Sequence, residues 1–129
     1  MGAQRPTVML LGDISFVHDI NSLHLMRLVR HPMVVVLLNN DGGGIFNMLP
    51  MGEAANRRTD YFVLPHGLNA KHAAVLFKCD YHAPSTPEAF KTVLEQALLE
   101  PSGTIIEVFT PAGQGADSIR QLVRQVQQL

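Results

Sequence analysis

Residues 7–44 read TVMLLGDISFVHDINSLHLMRLVRHPMVVVLLNNDGGG, and this stretch decides the fold. Thr7–Leu11 is a short apolar run that ends at a Gly-Asp pair, as a buried parallel strand does when it leads into a loop. From Phe16 to Arg30 apolar residues recur every three or four positions, which predicts a helix that Pro32 ends. Met33–Leu38 is a second apolar run, closed by asparagine, aspartate and glycine. A strand, a helix and a strand in this order form a βαβ unit, so we predict an α/β protein with a parallel sheet.

The remaining sequence continues the alternation of helices and strands. The patterns predict five further segments in chain order: a long surface loop with one helical turn (Ile45–Pro65), a helix (Asn69–Phe77), a second helix (Pro87–Leu99), a third strand (Thr104–Phe109) and a last helix (Asp117–Leu129). Thr86 is the predicted N-cap of the helix that starts at Pro87. The last helix carries an apolar stripe that we expect to pack on the core, formed by Ile119, Leu122, Val123, Val126 and Leu129.

Three strands with helices on both faces make a three-layer domain with a thin sheet and an exposed edge. We therefore expect residues 1–129 to be a single domain that is incomplete, with its missing part upstream or on a second chain. The first three residues resemble a leader added for expression rather than native sequence.

Composition excludes several classes of protein. The 129 residues are 47% hydrophobic and 16% charged, with a formal net charge of −1. This charge balance gives no basic excess for binding nucleic acid. The apolar runs are too short to cross a membrane, so no membrane insertion is expected. A single cysteine, Cys79, cannot form an internal disulfide, which favours the reducing cytoplasm.

Two predicted strands end in polar, glycine-rich sequence: Gly12-Asp13-Ile14-Ser15 and Asn39-Asn40-Asp41-Gly42-Gly43-Gly44. The carboxyl ends of parallel strands lie at one edge of a sheet, where ligands of α/β proteins bind. Carboxylate, amide and carbonyl oxygens, as Asp13, Asn40 and Gly42 provide, are the ligands that Mg²⁺ accepts together with phosphate oxygens. The helix that starts near Ser15 would add backbone N–H groups for an anion. Taken singly, each sequence is also typical of structure alone, because Asp-Gly is a common hairpin turn and Gly-Asp an ordinary βα loop.

At these residues the sequence resembles thiamine-diphosphate enzymes, in which Gly-Asp is followed after about 25 residues by Asn-Asn. More narrowly, residues 12–50 resemble the 2-succinyl-5-enolpyruvyl-6-hydroxy-3-cyclohexene-1-carboxylate synthase (MenD) family of menaquinone biosynthesis. The resemblance continues less densely to the end of the chain. Ile14 departs from the third glycine of many thiamine-diphosphate enzymes but agrees with the MenD branch.

The resemblance implies a thiamine-diphosphate-binding fold and assigns roles to single residues. The implied metal ligands are Asp13, Asn40 and the carbonyl of Gly42, with Mg²⁺ as the metal and Mn²⁺ as its substitute. The implied cofactor-binding residues are Gly12, Asp13, Ser15, Asn40, Gly42, Ile45 and Phe46. The residues expected beside the substrate are Ile45, Phe46 and Leu49, for which loop packing is an equally good explanation.

The reaction implied by the resemblance is decarboxylation of 2-oxoglutarate and addition of the succinyl carbanion equivalent to isochorismate. The activating glutamate of this superfamily lies in another domain, usually of a second subunit of a homodimer or homotetramer. No catalytic residue is therefore expected in this chain, which resembles a C-terminal part of a longer enzyme and is expected to be inactive alone.

Three alternatives remain open from the sequence. The first is another thiamine-diphosphate enzyme, similar to acetolactate synthase or to a 2-oxo-acid decarboxylase. The second is a non-enzymatic assembly module whose glycine-rich loop only turns the chain. The third is a Mg²⁺-dependent phosphate-signalling domain, which is disfavoured because such domains use clustered acidic residues.

Overall fold

The computed structural model describes residues 5–49 and 59–128, which form two compact units. The first unit contains the chain up to Asn39 together with Asn69–Phe109, and the second contains Asn40–Leu68 and Thr110–Leu129. Residues 1–3, residues 50–58 of the predicted loop and Leu129 lie outside the described residues. The expectation of one domain over residues 1–129 stays a prediction.

A parallel sheet forms the centre of the first unit. Its strands are β1 (Thr7–Gly12), β2 (Met33–Asn39), β3 (Asp80–His82) and β4 (Gly103–Phe109), in the order β1-β2-β4-β3. This confirms the parallel α/β class. The sheet has four strands rather than the predicted three. The sequence did not predict β3 because this strand has only three residues, of which only Tyr81 carries a large apolar ring. Such a segment is too short for a period-two pattern to be recognised.

The helices of the first unit cover both faces of this sheet. They are α1 (Asp13–His18), α2 (Leu23–Met26), α3 (Lys71–Phe77) and α4 (Pro87–Ala97), with a 3₁₀ turn at Ile20–Ser22. The prediction of one continuous helix over residues 16–30 was wrong. The break falls in the sequence Asp19-Ile20-Asn21-Ser22, where Asp19 leaves the helical conformation (φ −116°, ψ 29°) and three of the four residues, Asp, Asn and Ser, have low helix propensity.

Two apolar clusters make the core of the first unit, one on each face of the sheet. One face packs Val35, Leu37 and Ile105 against Phe16, Leu23 and Met26 of the α1–α2 segment and the alanines of α3. The other packs Val34, Val36 and Ile106 against α4. Because both faces of β2 and β4 are covered, these strands carry nearly continuous apolar sequence. The predicted cap of α4 is confirmed, since the Thr86 Oγ1 accepts a hydrogen bond from the Ala89 N–H at 3.1 Å.

The second unit consists of turns and one longer helix. It contains a 3₁₀ helix at Gly44–Asn47, a π-helical turn at Thr59–Val63 and α5 (Gln114–Val126). The described members of the α5 stripe are 47–67% exposed, namely Ile119, Leu122, Val123 and Val126, and the expectation that the stripe packs on the core stays a prediction. Among the described residues this unit has no strand or second long helix against which the stripe could be buried. No helix in the described ranges is long and apolar enough to cross a membrane.

Candidate cofactor and metal site

The carboxyl ends of β1 and β2 lie side by side in the sheet. The strands are parallel and in register, with Gly12 opposite Leu38. Asp13 follows Gly12 directly, and Asn40 follows Leu38 by two residues. Both predicted polar segments therefore leave the sheet at the same edge, as a ligand site of an open α/β sheet requires.

Gly12 and Asp13 join β1 to α1. The Asp13 side chain is only 4% exposed, and its Oδ1 accepts the Ile14 N–H at 2.8 Å. As the first residue of α1, Asp13 places a carboxylate at a helix start, where negative charge is stabilised. A Cβ added to Gly12 would meet nothing within 4 Å, and its φ of −84° suits any residue. Glycine is thus not required here by the described chain itself, which is consistent with space kept for a ligand.

The segment that starts at Asn40 forms a tight loop in the second unit. Asp41 and Gly42 both have positive φ, 60° and 124°. The Gly44 N–H donates to the Gly42 carbonyl at 2.8 Å across Gly43, whose φ of −74° and ψ of 62° are those of an inverse γ-turn. The chain then enters a 3₁₀ helix instead of a strand, so the alternative of a hairpin turn at Asp41-Gly42 is wrong.

Gly42 is a glycine that this packing requires. It is buried, and a Cβ built on it would lie 2.2 Å from the carbonyl oxygen of Val63 and 3.1 Å from that of Leu64. The next residue, Gly43, donates its N–H to the same Val63 oxygen at 2.7 Å. The Gly42 carbonyl is thus part of the same turn, where it accepts the Gly44 N–H at 2.8 Å.

The Asp41 side chain binds the backbone at the end of this loop. Its Oδ1 accepts the N–H groups of His66 at 2.9 Å and Gly67 at 2.7 Å. The hydrogen bond from Gly67, followed by the bond and the charge of His66, holds the pKa of the Asp41 carboxyl below its ordinary value although partial desolvation opposes this. The sequence places Asp41 only in a glycine-rich turn. An aspartate in a turn is the available signal for this role, because Asp is among the few residues that adopt a positive φ.

Asn40 and Ile45 line one cleft of the second unit. The cleft has a volume of about 270 Å³ and is otherwise apolar, with Met48, Ala116 and Ile119 among its lining residues. Asn40 is held close to the backbone, since a Cβ on Gly44 would lie 2.2 Å from its Nδ2. The sequence did not indicate Met48 or Ile119 as site residues; Ile119 was interpreted as core because its helical spacing is the same in either role.

The other predicted residues have separate surroundings. Phe46 packs against Phe62, with ring centroids 5.5 Å apart at an angle of 53°. Leu49 is exposed and lies outside the described lining of the cleft, and Ser15 is exposed in α1. In the described part of the chain no three His, Cys, Asp or Glu side chains are grouped so that they could hold a metal ion.

Comparison with known proteins agrees with this arrangement. A family model described as thiamine pyrophosphate enzyme, C-terminal TPP binding domain, matches residues 1–108. The chain belongs to this family. Thiamine pyrophosphate is the same compound as thiamine diphosphate, so the predicted fold and superfamily are confirmed.

Individual relatives point to one branch of the thiamine pyrophosphate enzymes. The chain is 46% identical over 124 residues to 2-succinyl-5-enolpyruvyl-6-hydroxy-3-cyclohexene-1-carboxylate synthase of Photobacterium profundum and 41% identical over 124 residues to that of Aeromonas salmonicida. These matches cover 95% and 93% of this chain but only 21% and 22% of the relatives. The chain thus spans about a fifth of the length of the curated relatives it matches, and the predicted resemblance to the MenD family is confirmed.

Solved structures of two decarboxylases share the fold. The thiamine diphosphate-dependent 4-hydroxybenzoylformate decarboxylase of Rhodococcus jostii RHA1 superposes with a TM-score of 0.70 at 27% identity, over 83% of this chain and 20% of that one. Benzoylformate decarboxylase of Polynucleobacter necessarius superposes with a TM-score of 0.69 at 22% identity, over 84% of this chain and 20% of that one. At the latter identity the likeness concerns the fold alone.

Proposed function

We propose that this chain supplies the diphosphate- and metal-binding part of a thiamine-diphosphate-dependent synthase. The reaction is decarboxylation of 2-oxoglutarate with addition of the succinyl unit to isochorismate, in menaquinone biosynthesis. The observation that carries the proposal is identity of 39–46% to synthases of that name over more than nine tenths of the chain. The alternatives of an assembly module and a phosphate-signalling domain explain neither this identity nor the family match.

The donor chemistry of the site fits Mg²⁺ with a diphosphate. In this proposal Asp13, Asn40 and the Gly42 carbonyl hold the metal, and Gly12 and Ser15 lie against the diphosphate. These donors are hard oxygens, which suit Mg²⁺ or Mn²⁺ better than zinc. When bound, thiamine diphosphate supplies the carbanion chemistry, while the protein binds, orients and shields it.

Ile45 is the residue whose surroundings best support a place beside the reacting groups. It shares the 270 Å³ cleft with Asn40, so an apolar ligand part in this cleft would lie close to the proposed metal ligand. Phe46 contributes by packing on Phe62, which stabilises the turn from which Ile45 projects. We assign Leu49 to the rim of the substrate region.

The proposal extends to the whole protein. We propose a cytoplasmic homodimer or homotetramer in which the activating glutamate comes from sequence beyond the matched fifth of the relatives. We expect this chain alone to produce no CO₂ from 2-oxoglutarate, and measurable decarboxylation by the isolated chain would contradict that.

Calorimetric titration of the chain with thiamine diphosphate and Mg²⁺ tests the site. Binding should require the metal and disappear in Asp13→Ala. The matched control is Asp19→Ala, which removes an exposed carboxylate just after α1 and should leave the affinity unchanged. Equal affinity in the wild type and Asp13→Ala would overturn the assignment. Product analysis of the longer enzyme with isochorismate and with a second 2-oxo acid as acceptor separates the synthase from a decarboxylase or an acetolactate-forming enzyme.

A further inference from the structure

A buried carboxylate lies in the centre of the sheet of the first unit. Glu107 of β4 is 0% exposed and accepts three hydrogen bonds. The donors are the Asn39 Nδ2 at 2.8 Å, the Ala70 N–H at 3.0 Å and the Tyr81 hydroxyl at 2.6 Å. These four residues, called the Glu107 cluster below, join the end of β2, the residue that precedes α3, β3 and β4.

All three donors of the Glu107 cluster are neutral. Burial, together with the hydrogen bond to Glu107, raises the pKa of the Tyr81 hydroxyl, so it remains a donor at physiological pH. No ion pair to Glu107 is formed by a lysine, arginine or histidine of residues 5–49 and 59–128. A buried carboxylate is costly even when hydrogen-bonded, and apolar residues of similar size often serve stability as well or better. Stability alone therefore gives a weak reason for this residue.

Asn39 is the member of the cluster that points to a functional role. It is the last residue of β2, is 4% exposed, and precedes the proposed metal ligand Asn40. Strand side chains alternate between the two faces of a sheet. Asn39 and Glu107 occupy the same face, and their side chains bond across neighbouring strands. Asn39 is thus held inside the sheet, and its backbone continues directly into Asn40.

We propose that Glu107 is a positioning residue for the metal site, which acts through Asn39 to fix the end of β2 from which the Asn40 loop departs. This inference rests on the proposed function, because it assumes that Asn40 binds the metal. Groups that orient metal ligands without touching the metal commonly change its affinity about 10- to 100-fold when they are mutated. Glu107 would be the group that makes the Asn-Asn pair rigid.

Four variants of the chain separate positioning from structural support. Glu107→Gln keeps the shape but brings an NH₂ group among three donors, and Asn39→Ala removes the side-chain link to β2. Tyr81→Phe is the matched control within the cluster, since it removes a donor from the same carboxylate without touching Asn39. Ile106→Val is the control on the opposite face of β4, where it shortens a fully buried side chain.

The measured quantities are the dissociation constant of thiamine diphosphate with Mg²⁺, the unfolding midpoint, and the NMR amide signals of Asn40 without ligand. We expect the dissociation constant to rise about 10- to 100-fold in Glu107→Gln and Asn39→Ala, with displaced Asn40 signals in Glu107→Gln, whose substitution lies far from Asn40 in the sequence. In Tyr81→Phe and Ile106→Val we expect a lower midpoint, unmoved Asn40 signals and a dissociation constant within about twofold of the wild type.

The outcomes distinguish this inference from the proposed function. Unmoved Asn40 signals in Glu107→Gln would overturn the inference, whether or not the cofactor binds. An equal loss of affinity in all four variants would also overturn it, because loss of fold stability would then account for the effect. If instead Asp13→Ala binds the cofactor as the wild type does, the proposed function fails, whatever the Asn40 signals show.

Discussion

Substitution of Gly42 by alanine should disrupt the loop that follows β2 more than any other glycine change nearby. The new Cβ would lie 2.2 Å from the Val63 carbonyl oxygen, and this is a backbone atom that cannot turn aside. A φ of 124° costs a residue with a Cβ about 1–3 kcal/mol. Moving Val63 away also breaks its 2.7 Å bond from Gly43, worth about 0.5–1.5 kcal/mol. The sum is a loss of about 3 kcal/mol in the free energy of unfolding.

Gly67→Ala is the matched control for this substitution. Gly67 lies in the same unit with a positive φ of 61°, but a Cβ there meets nothing within 4 Å. It should cost only the left-handed conformation, about 1–2 kcal/mol. Urea unfolding of both variants, followed by circular dichroism, measures the difference. Equal losses for Gly42→Ala and Gly67→Ala would refute the close packing of Gly42 against Val63.

Three further predictions concern single contacts. In Gly44→Ala the new Cβ would lie 2.2 Å from the Asn40 Nδ2 and would displace the Asn40 amide. The affinity for thiamine diphosphate with Mg²⁺, measured by calorimetry, should therefore fall at least about tenfold. An unchanged affinity would remove Asn40 from the ligand set. In Thr86→Ala the cap bond to Ala89 is lost, which should cost about 1 kcal/mol in urea unfolding, whereas Thr86→Ser should retain most of it; equal losses would contradict capping by the hydroxyl. Hydrogen bonds lower the pKa of Asp41 below 3.8, so its contribution to the stability of the loop is present above pH 3.8 and is lost as pH falls through the lowered pKa. The Gly67 amide shift should follow this titration, and a midpoint at or above 3.8 would contradict the assignment.

Strands β2 and β4 could be predicted from the sequence because they are buried on both faces, whereas β1, predicted as a buried strand, is largely exposed, with Val8 and Leu10 49% and 64% exposed. The runs at β1, β2 and β4 are apolar enough to be recognised without any period, and their ends matched the predicted ends within one residue. The start of α4 agreed with the prediction because Thr86 caps it, whereas α4 ends at Ala97, two residues before the predicted Leu99. Where the deciding interaction joins distant positions, the sequence carried no local signal. The bond from Tyr81 to Glu107 spans 26 residues, so neither β3 nor the Glu107 cluster could be predicted.

The site was predictable to a different degree. The two polar segments were found because each directly follows an apolar strand, and the register of β1 with β2 confirms that the strands end together. What covers the stripe on α5 could not be predicted, because helical spacing shows that a face is apolar but not what packs against it. Within the second unit Leu122 and Val126 are exposed. Arg120 was also missed: it bonds Asp117 of α5 and the Asn47 carbonyl, which ties α5 to the 3₁₀ turn of its own unit.

Paramagnetic broadening by Mn²⁺ in the presence of thiamine diphosphate tests the central claim most directly. Mn²⁺ replaces Mg²⁺ at oxygen sites and broadens the NMR signals of amides near it. We predict selective loss of the amide signals of Asp13, Asn40 and Gly42 in the wild-type chain, and no such selectivity in Asp13→Ala. Broadening centred instead on His66 and its neighbours, or equal broadening in Asp13→Ala, would contradict the assignment of this site.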